Sequence, residues 1–165
     1  MAEPTNGGAA PPNDGRRQVM INAQYVKDLS FENPRAPQSL LQPQSTPPEV
    51  QISVDVKAGT LAPEIYEVIM TLRADAKHGA DSVFVVELVY GAVVTLANTP
   101  PDDIAPALMV ETPRQLFPFA RAILAEVTRD GGFTPLLLNP IDFAEIYKRR
   151  VEAAAQQTAP GTVPA

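Results

Sequence analysis

Cysteine and tryptophan are absent from the 165 residues, and there is a single histidine, His78. Each absence removes a class of chemistry. Without cysteine there is no disulfide, no thiolate nucleophile and no thiolate metal site, and the composition suits a reducing compartment. One imidazole without a thiol leaves a transition-metal centre unexpected. His78 sits beside Gly79 in a turn-like stretch, AKHGADS, and no nucleophile-elbow sequence pairs it with a serine. It reads as a loop histidine. Neither G-x-x-x-x-G-K-[ST] nor G-x-G-x-x-G occurs, so nucleotide binding has no support. No apolar run approaches the roughly 20 residues that span a bilayer. The opening MAEPTNGGAAPPNDGRR lacks the basic-then-apolar order of a secretory signal. A cytoplasmic protein is expected, with no enzyme activity, cofactor, metal or membrane insertion.

What is present indicates a packed domain. Hydrophobic residues make up 45% and the mean hydropathy is -0.06, which suits one globular unit of this length. The net charge of -6 counts against nucleic acid as a partner. Its distribution says more. Lys27 to Glu111 holds twelve acidic and five basic residues, a net of -7, whereas residues 112–165 carry six basic against five acidic. The acidity is concentrated in the middle of the chain, where the plain reading is a solvated surface.

Residues 1–17 are Gly, Pro, Ala, Asn and charge without periodicity and read as a disordered tail, and 156–165 as a flexible one. Between them, 18–155 reads as a single domain. Val19 to Glu32 alternates: Val19, Ile21, Ala23, Tyr25, Leu29 and Phe31 point one way, with Asn22, Gln24, Asp28, Ser30 and Glu32 opposite. A Pro-rich connection, PRAPQSLLQPQSTPP, is long enough to be a candidate functional loop. Val50 to Val56 forms a second strand, and Lys57-Ala58-Gly59-Thr60 reads as a turn. The third strand carries Tyr66, Val68, Met70, Leu72 and Ala74 on its apolar face. The fourth, Val83 to Leu96, is apolar on both faces, with only Glu87 charged in its middle.

Helices follow. Pro100-Pro101-Asp102-Asp103 opens a short one, its acids placed to complement the helix dipole. Thr112 reads as the N-cap of a second with Pro113 at N1, and Gly131-Gly132 closes it. Pro118 is expected to kink that helix or mark its start. Asn139 and Pro140 read as cap and N1 of a last helix bearing Phe143, Ile146 and Tyr147 on its apolar stripe. Strands followed by helices give the α+β class. The two-sided apolarity of the fourth strand has two readings: a second layer covers both faces, or part of that surface binds a partner.

Several segments carry a resemblance. Tyr25-Val26-Lys27-Asp28-Leu29-Ser30-Phe31-Glu32-Asn33-Pro34, followed by Ala36-Pro37, resembles the first-strand signature of the SecB export chaperones, as does Pro48-Glu49-Val50. Leu116-Phe117-Pro118-Phe119-Ala120-Arg121 resembles their L-F-P-[YF]-A-R motif. Phe133-Thr134-Pro135 and Leu138-Asn139-Pro140-Ile141-Asp142-Phe143 are similar to the late motif. Order and spacing hold across roughly 20–155. The resemblance implies a four-stranded antiparallel sheet with helices on one face, assembled as a homotetramer, a dimer of dimers. It implies a holdase without ATPase activity that keeps unfolded preproteins in hydrophobic grooves and delivers them to the motor ATPase SecA. Asp28, Glu32, Val85 and Glu87 match the family's SecA-binding patch, a negative face suited to a basic, zinc-bearing segment whose zinc belongs to the partner. Phe31, Phe117, Phe119, Phe143 and Tyr147 are the groove candidates. One departure stands out: many family members place an aromatic, often Trp, before Pro-Glu-Val, where this chain has Thr46-Pro47. Two rivals remain, a SecB-like chaperone dedicated to one partner such as an antitoxin, and an enzyme or small-ligand carrier, against which the lack of convergent polar groups speaks.

Overall fold

Four strands, β1 (Gln18–Glu32), β2 (Glu49–Ala62), β3 (Ile65–His78) and β4 (Asp81–Ala97), form one antiparallel sheet in the order β1-β4-β3-β2. The computed structural model describes residues 15–41 and 46–158. The tails expected at 1–17 and 156–165 lie mostly outside these residues, as does part of the Pro-rich connection. Arg17, at the end of the first expected tail, pairs with Glu111 at 2.5 Å. The last helix runs on through Thr158, past the expected end at 155.

β2, β3 and β4 form a meander, while β1 pairs with β4 and so reaches the far edge by a crossover containing a single helical turn, α1 (Gln38–Leu41). The turn expected at Lys57–Thr60 is strand: pairing continues from Lys57 opposite Ile69 to Ala62 opposite Ile65. The chain reverses instead at Pro63-Glu64, where Glu64 takes φ 60. Small, exposed residues on an edge strand had hidden the alternation, because burial no longer sorts the two faces there.

β1 departs from simple alternation at two bulges, which leave Asn22 and Lys27 outside the ladder. Each extra residue exchanges the faces. Val19 and Ile21 face the core, Ala23 and Tyr25 face away from it, and Leu29 and Phe31 face it again. Ala23 and Tyr25 therefore lie on the side opposite to the expected one, whereas Asp28 and Glu32 keep theirs because the second bulge undoes the first.

One face of the sheet is sealed. Val68, Met70, Leu72, Ala74 and Ala76 of β3 and Val86, Leu88, Ala92 and Val94 of β4 are wholly buried, with Leu116, Ala120, Leu124 and Phe143 of the helical layer in the same core. That layer is largely one continuous rod: α2 (Pro101–Pro106), a π-helical turn (Ala107–Glu111) and α3 (Thr112–Asp130). Thr112 is therefore mid-rod, not an N-cap. Pro113 has no N–H to give, and its ring would collide with the carbonyl of Met109 in a regular α-turn. The wider turn passes the Thr112 N–H to the Ala107 carbonyl instead, and the Thr112 hydroxyl donates to the same oxygen at 2.9 Å. Pro118 lies within α3, at an exposed position where water can serve the carbonyl it leaves unpaired. Gly132, at φ 91, follows the end of α3 at Asp130.

The last helix, α4 (Phe143–Thr158), starts later than Asn139 and Pro140 suggest. Its cap is Asp142, whose Oδ1 accepts the Glu145 N–H at 3.1 Å. At its other side Arg150 donates to the Val56 carbonyl and to Asp55, covering part of the open β2 edge. Replacing Asp142 with Ala is expected to cost about 1 kcal/mol and lower Tm by roughly 2–4 °C at this chain length. Asn139→Ala should leave Tm nearly unchanged. A scanning-calorimetry comparison of the two variants checks the assignment.

Candidate functional site

The sheet face turned away from the helices carries the charge. Strand register sets Glu32 opposite Val85, Ser30 opposite Glu87 and Asp28 opposite Val89, all on this outer face. The four residues expected in the docking patch thus share two neighbouring strands, within about 14 Å at 3.4 Å per residue. Asp28 and Glu32 are exposed, with no ion pair among the described residues; Val85 and Glu87 are half-buried. Glu87 faces Arg73 of β3, whose Nη1 lies 3.5 Å from its Oε2.

A second constellation fixes β1 between its bulges. The Tyr25 ring lies flat over Gly91, where a Cβ would come within 2.6 Å of a ring carbon. Glycine at 91 is what lets the ring cross β4 and the phenol reach Glu67 on β3. Lys27, the second bulged residue, donates to the same carboxylate at 2.9 Å, and Asn22, the first, donates to Thr95 at 2.6 Å. Both bulges are therefore tied across the outer face by their own side chains. Burial of the phenol, then its bond to Glu67, push Tyr25 up to about 12. The hydrogen bonds from Tyr25 and Lys27 hold Glu67 below its ordinary value.

On the opposite side, at the end of the sheet where β4 begins, lies an apolar cleft of about 640 Å³. Val50 and Phe84 form its floor; Leu40 and Pro47-Pro48 line one side, and Phe133 to Leu137 the other. Its aromatic wall is a cluster: Phe84 lies 5.0 Å from Phe133 and 5.9 Å from Phe31, centroid to centroid. Phe31 reaches this place because residue 131 is glycine; a Cβ there would stand 2.3 Å from its ring. The Asn33 amide donates to the Gly131 carbonyl at 3.2 Å, pinning the loop after α3 to the end of β1.

The five groove candidates separate. Phe31 backs the cleft. Phe117 and Phe143 do not line it: both are buried and pack edge to face at 6.0 Å, so they hold the helices together. Phe119 is 53% exposed on α3, and Tyr147 is half-buried on α4. Val50, Phe84, Leu136 and Leu137 were not singled out as lining a groove. The run Leu136-Leu137-Leu138 was the available signal: Leu138 is buried in the core and Leu136 packs against it, which leaves Leu137 outside. Leu137, 66% exposed, is the clearest case. Among the described residues no group of acids and histidine could hold a metal ion, and no helix is long and apolar enough to cross a membrane.

An open apolar cleft beside a closed core, with a patterned charged face on the reverse of the same sheet, defines a polypeptide-binding scaffold of the chaperone type. The chain belongs to the SecB family: residues 12–154 match the family model described as preprotein translocase subunit SecB. It is 50% identical to a protein-export protein SecB of Bradyrhizobium sp., covering 92% of this chain and 95% of that one. A protein of the same name from Paramagnetospirillum magneticum is 47% identical, with 90% and 96% covered. A SecB-like chaperone of Mycobacterium tuberculosis, solved in complex with an antitoxin peptide, shares the fold at a TM-score of 0.62 and 11% identity, over 74% of this chain and 90% of that one.

The Tyr25–Glu67 pair gives a pH signature. Glu67 has a lowered pKa when folded, so its contribution is present above the ordinary glutamate value and is lost as pH falls through the lowered one. Tyr25 has a raised pKa, so its contribution is complete below pH 10 and is lost as pH climbs towards about 12. Tyr25→Phe should flatten the alkaline fall in Tm over that interval, and Glu67→Gln the acid fall. Unchanged slopes in a Tm-against-pH series for both variants contradict the pairing.

Proposed function

We propose that this protein is a cytoplasmic holdase for export. It seats extended apolar segments of unfolded preproteins in the cleft and passes them to SecA, which docks on the outer sheet face. The observation that carries this reading is the cleft itself. Its walls are mostly aliphatic, aromatic and proline side chains, with Ser39, Thr46 and Thr134 among them, so contact depends more on buried area than on one hydrogen-bond pattern, which suits many clients. Thr46 and Pro47 line the cleft just before Pro48-Glu49-Val50, where the resemblance leads one to expect an aromatic. Clients here meet a smooth wall there rather than an indole to stack on.

The dedicated-antitoxin reading is the less favoured one. The relatives at 44–50% identity are export proteins, while the antitoxin-bound neighbour shares the fold alone. Assembly as a tetramer is supported by apolar side chains left exposed along β1 and α3, namely Val26, Leu29 and Phe119, and by the unpaired outer edge of β1.

Leu137→Gln tests the cleft. The side chain is exposed, so Tm should hold within about 0.5 kcal/mol of stability, whereas losing one buried leucine contact should weaken capture of an unfolded precursor about tenfold. Refolding arrest measures capture, and light scattering on the same samples should give a mass of about four times 17.7 kDa. Undiminished capture by a folded Leu137→Gln protein refutes the cleft assignment, and a sharp monomer peak at micromolar concentration refutes the assembly.

A further inference from the structure

The acidic middle of the chain contains five basic residues, and each is within ion-pair distance of an acid. Lys27 meets Glu67, Arg35 meets Asp81, and Lys57 stands 3.7 Å from Asp55. The remaining two stand inside the docking face. Arg73 places Nη1 3.5 Å from Glu87 and Nη2 3.7 Å from Asp75, and Lys77 lies 4.0 Å from Asp75. These contacts are long, and none is the parallel two-bond fork that makes an arginine–carboxylate pair tight. The Arg73 side chain is also 45% exposed, so the pair adds little to stability. Its effect is on charge. Asp28, Glu32, Asp75 and Glu87 lie on one face, and Arg73 with Lys77 offsets half of that charge from the β3 side, leaving Asp28 and Glu32 without a described partner.

We propose that Arg73 is a built-in rival for Glu87: a cationic docking segment pairs first with Asp28 and Glu32, then must displace Arg73 to reach Glu87. The residue thereby holds docking affinity below what the four acids alone would give, which favours release after hand-over. The inference deepens the docking reading and rests on it. Displacement is feasible because the Arg73 contacts are long and solvent-reached. Lysine at 73 would keep the charge and so should keep the rivalry.

Binding of purified SecA to the full-length parent, Arg73→Gln, Arg73→Lys, Asp28→Asn, Glu87→Gln and the Arg73→Gln/Glu87→Gln double variant tests this at low and at 0.3 M salt. Arg73→Gln should bind about 2- to 5-fold more tightly at low salt, the range for an exposed pair, mainly through faster association. The gain should shrink at high salt. Arg73→Lys should stay near the parent, and Glu87→Gln should weaken binding. In the Glu87→Gln background, removing Arg73 should gain less than half as much. An equal gain in both backgrounds overturns the rivalry, because it means Arg73 acts only through the general field. Unchanged or weaker binding by Arg73→Gln while Glu87→Gln also weakens binding overturns the inference and leaves the docking reading standing. If neither Glu87→Gln nor Asp28→Asn weakens binding, the docking reading falls and the inference with it.

Discussion

The sealing of alternate residues of β3 and β4 beneath the helical rod is the constraint on which everything else depends. Side chains 68 to 76 and 86 to 94 at every second position are buried to the last atom or nearly so. A strand has only two faces, so this burial sends Glu67, Arg73, Asp75, Val85 and Glu87 to the other side without further instruction. A slip of one residue would bury Glu67, Arg73 and Asp75 in β3, or Glu87 in β4, and expose the core. The outer face is thus specified by what the inner face must hide.

That dependence explains how much was legible in the sequence. The sheet, the α+β class and the outward placement of Asp28, Glu32 and Glu87 followed from period-2 alternation, because burial enforces it. The case of β1 is instructive: two bulges invalidate the alternation between Ala23 and Val26, yet Asp28 and Glu32 stay on the expected side because two one-residue shifts cancel. Nothing in the local pattern announces a bulge. Asn22 and Lys27 look like ordinary members of the strand, and only their cross-strand partners, Thr95 and Glu67, show why the extra residues are held.

The cleft was less legible for a physical reason. Phe31, Phe117 and Phe143 are chemically equivalent in sequence, and each sits in a stretch with a plausible apolar face. What separates them is whether a neighbour closes over the ring. Phe143 has Phe117 against it inside the helical layer, whereas Phe31 stacks on Phe84 and Phe133, which line the cleft. Likewise proline and threonine signal a helix start within the rod from Pro101 to Asp130, so its sequence reads as two helices. The π-helical turn absorbs Pro113 at the cost of one wider turn, which costs less than unpacking a rod already bound to the sheet.

The end of β1 joins the two sites. Phe31 and Glu32 are successive residues on a strand, so one points to the helix side and the other to the outer face. Phe31 supports the aromatic wall of the cleft and is locked by Gly131, while Asn33 ties the same strand end to the loop that forms the cleft's far wall. Glu32 stands in the acidic patch. In the function proposed above, a client in the cleft would lie on the side of the sheet opposite to the acidic patch. On that reading the two partners would not compete for one surface, and the proposed competition on the outer face is between charges, where Arg73 stands 3.5 Å from Glu87.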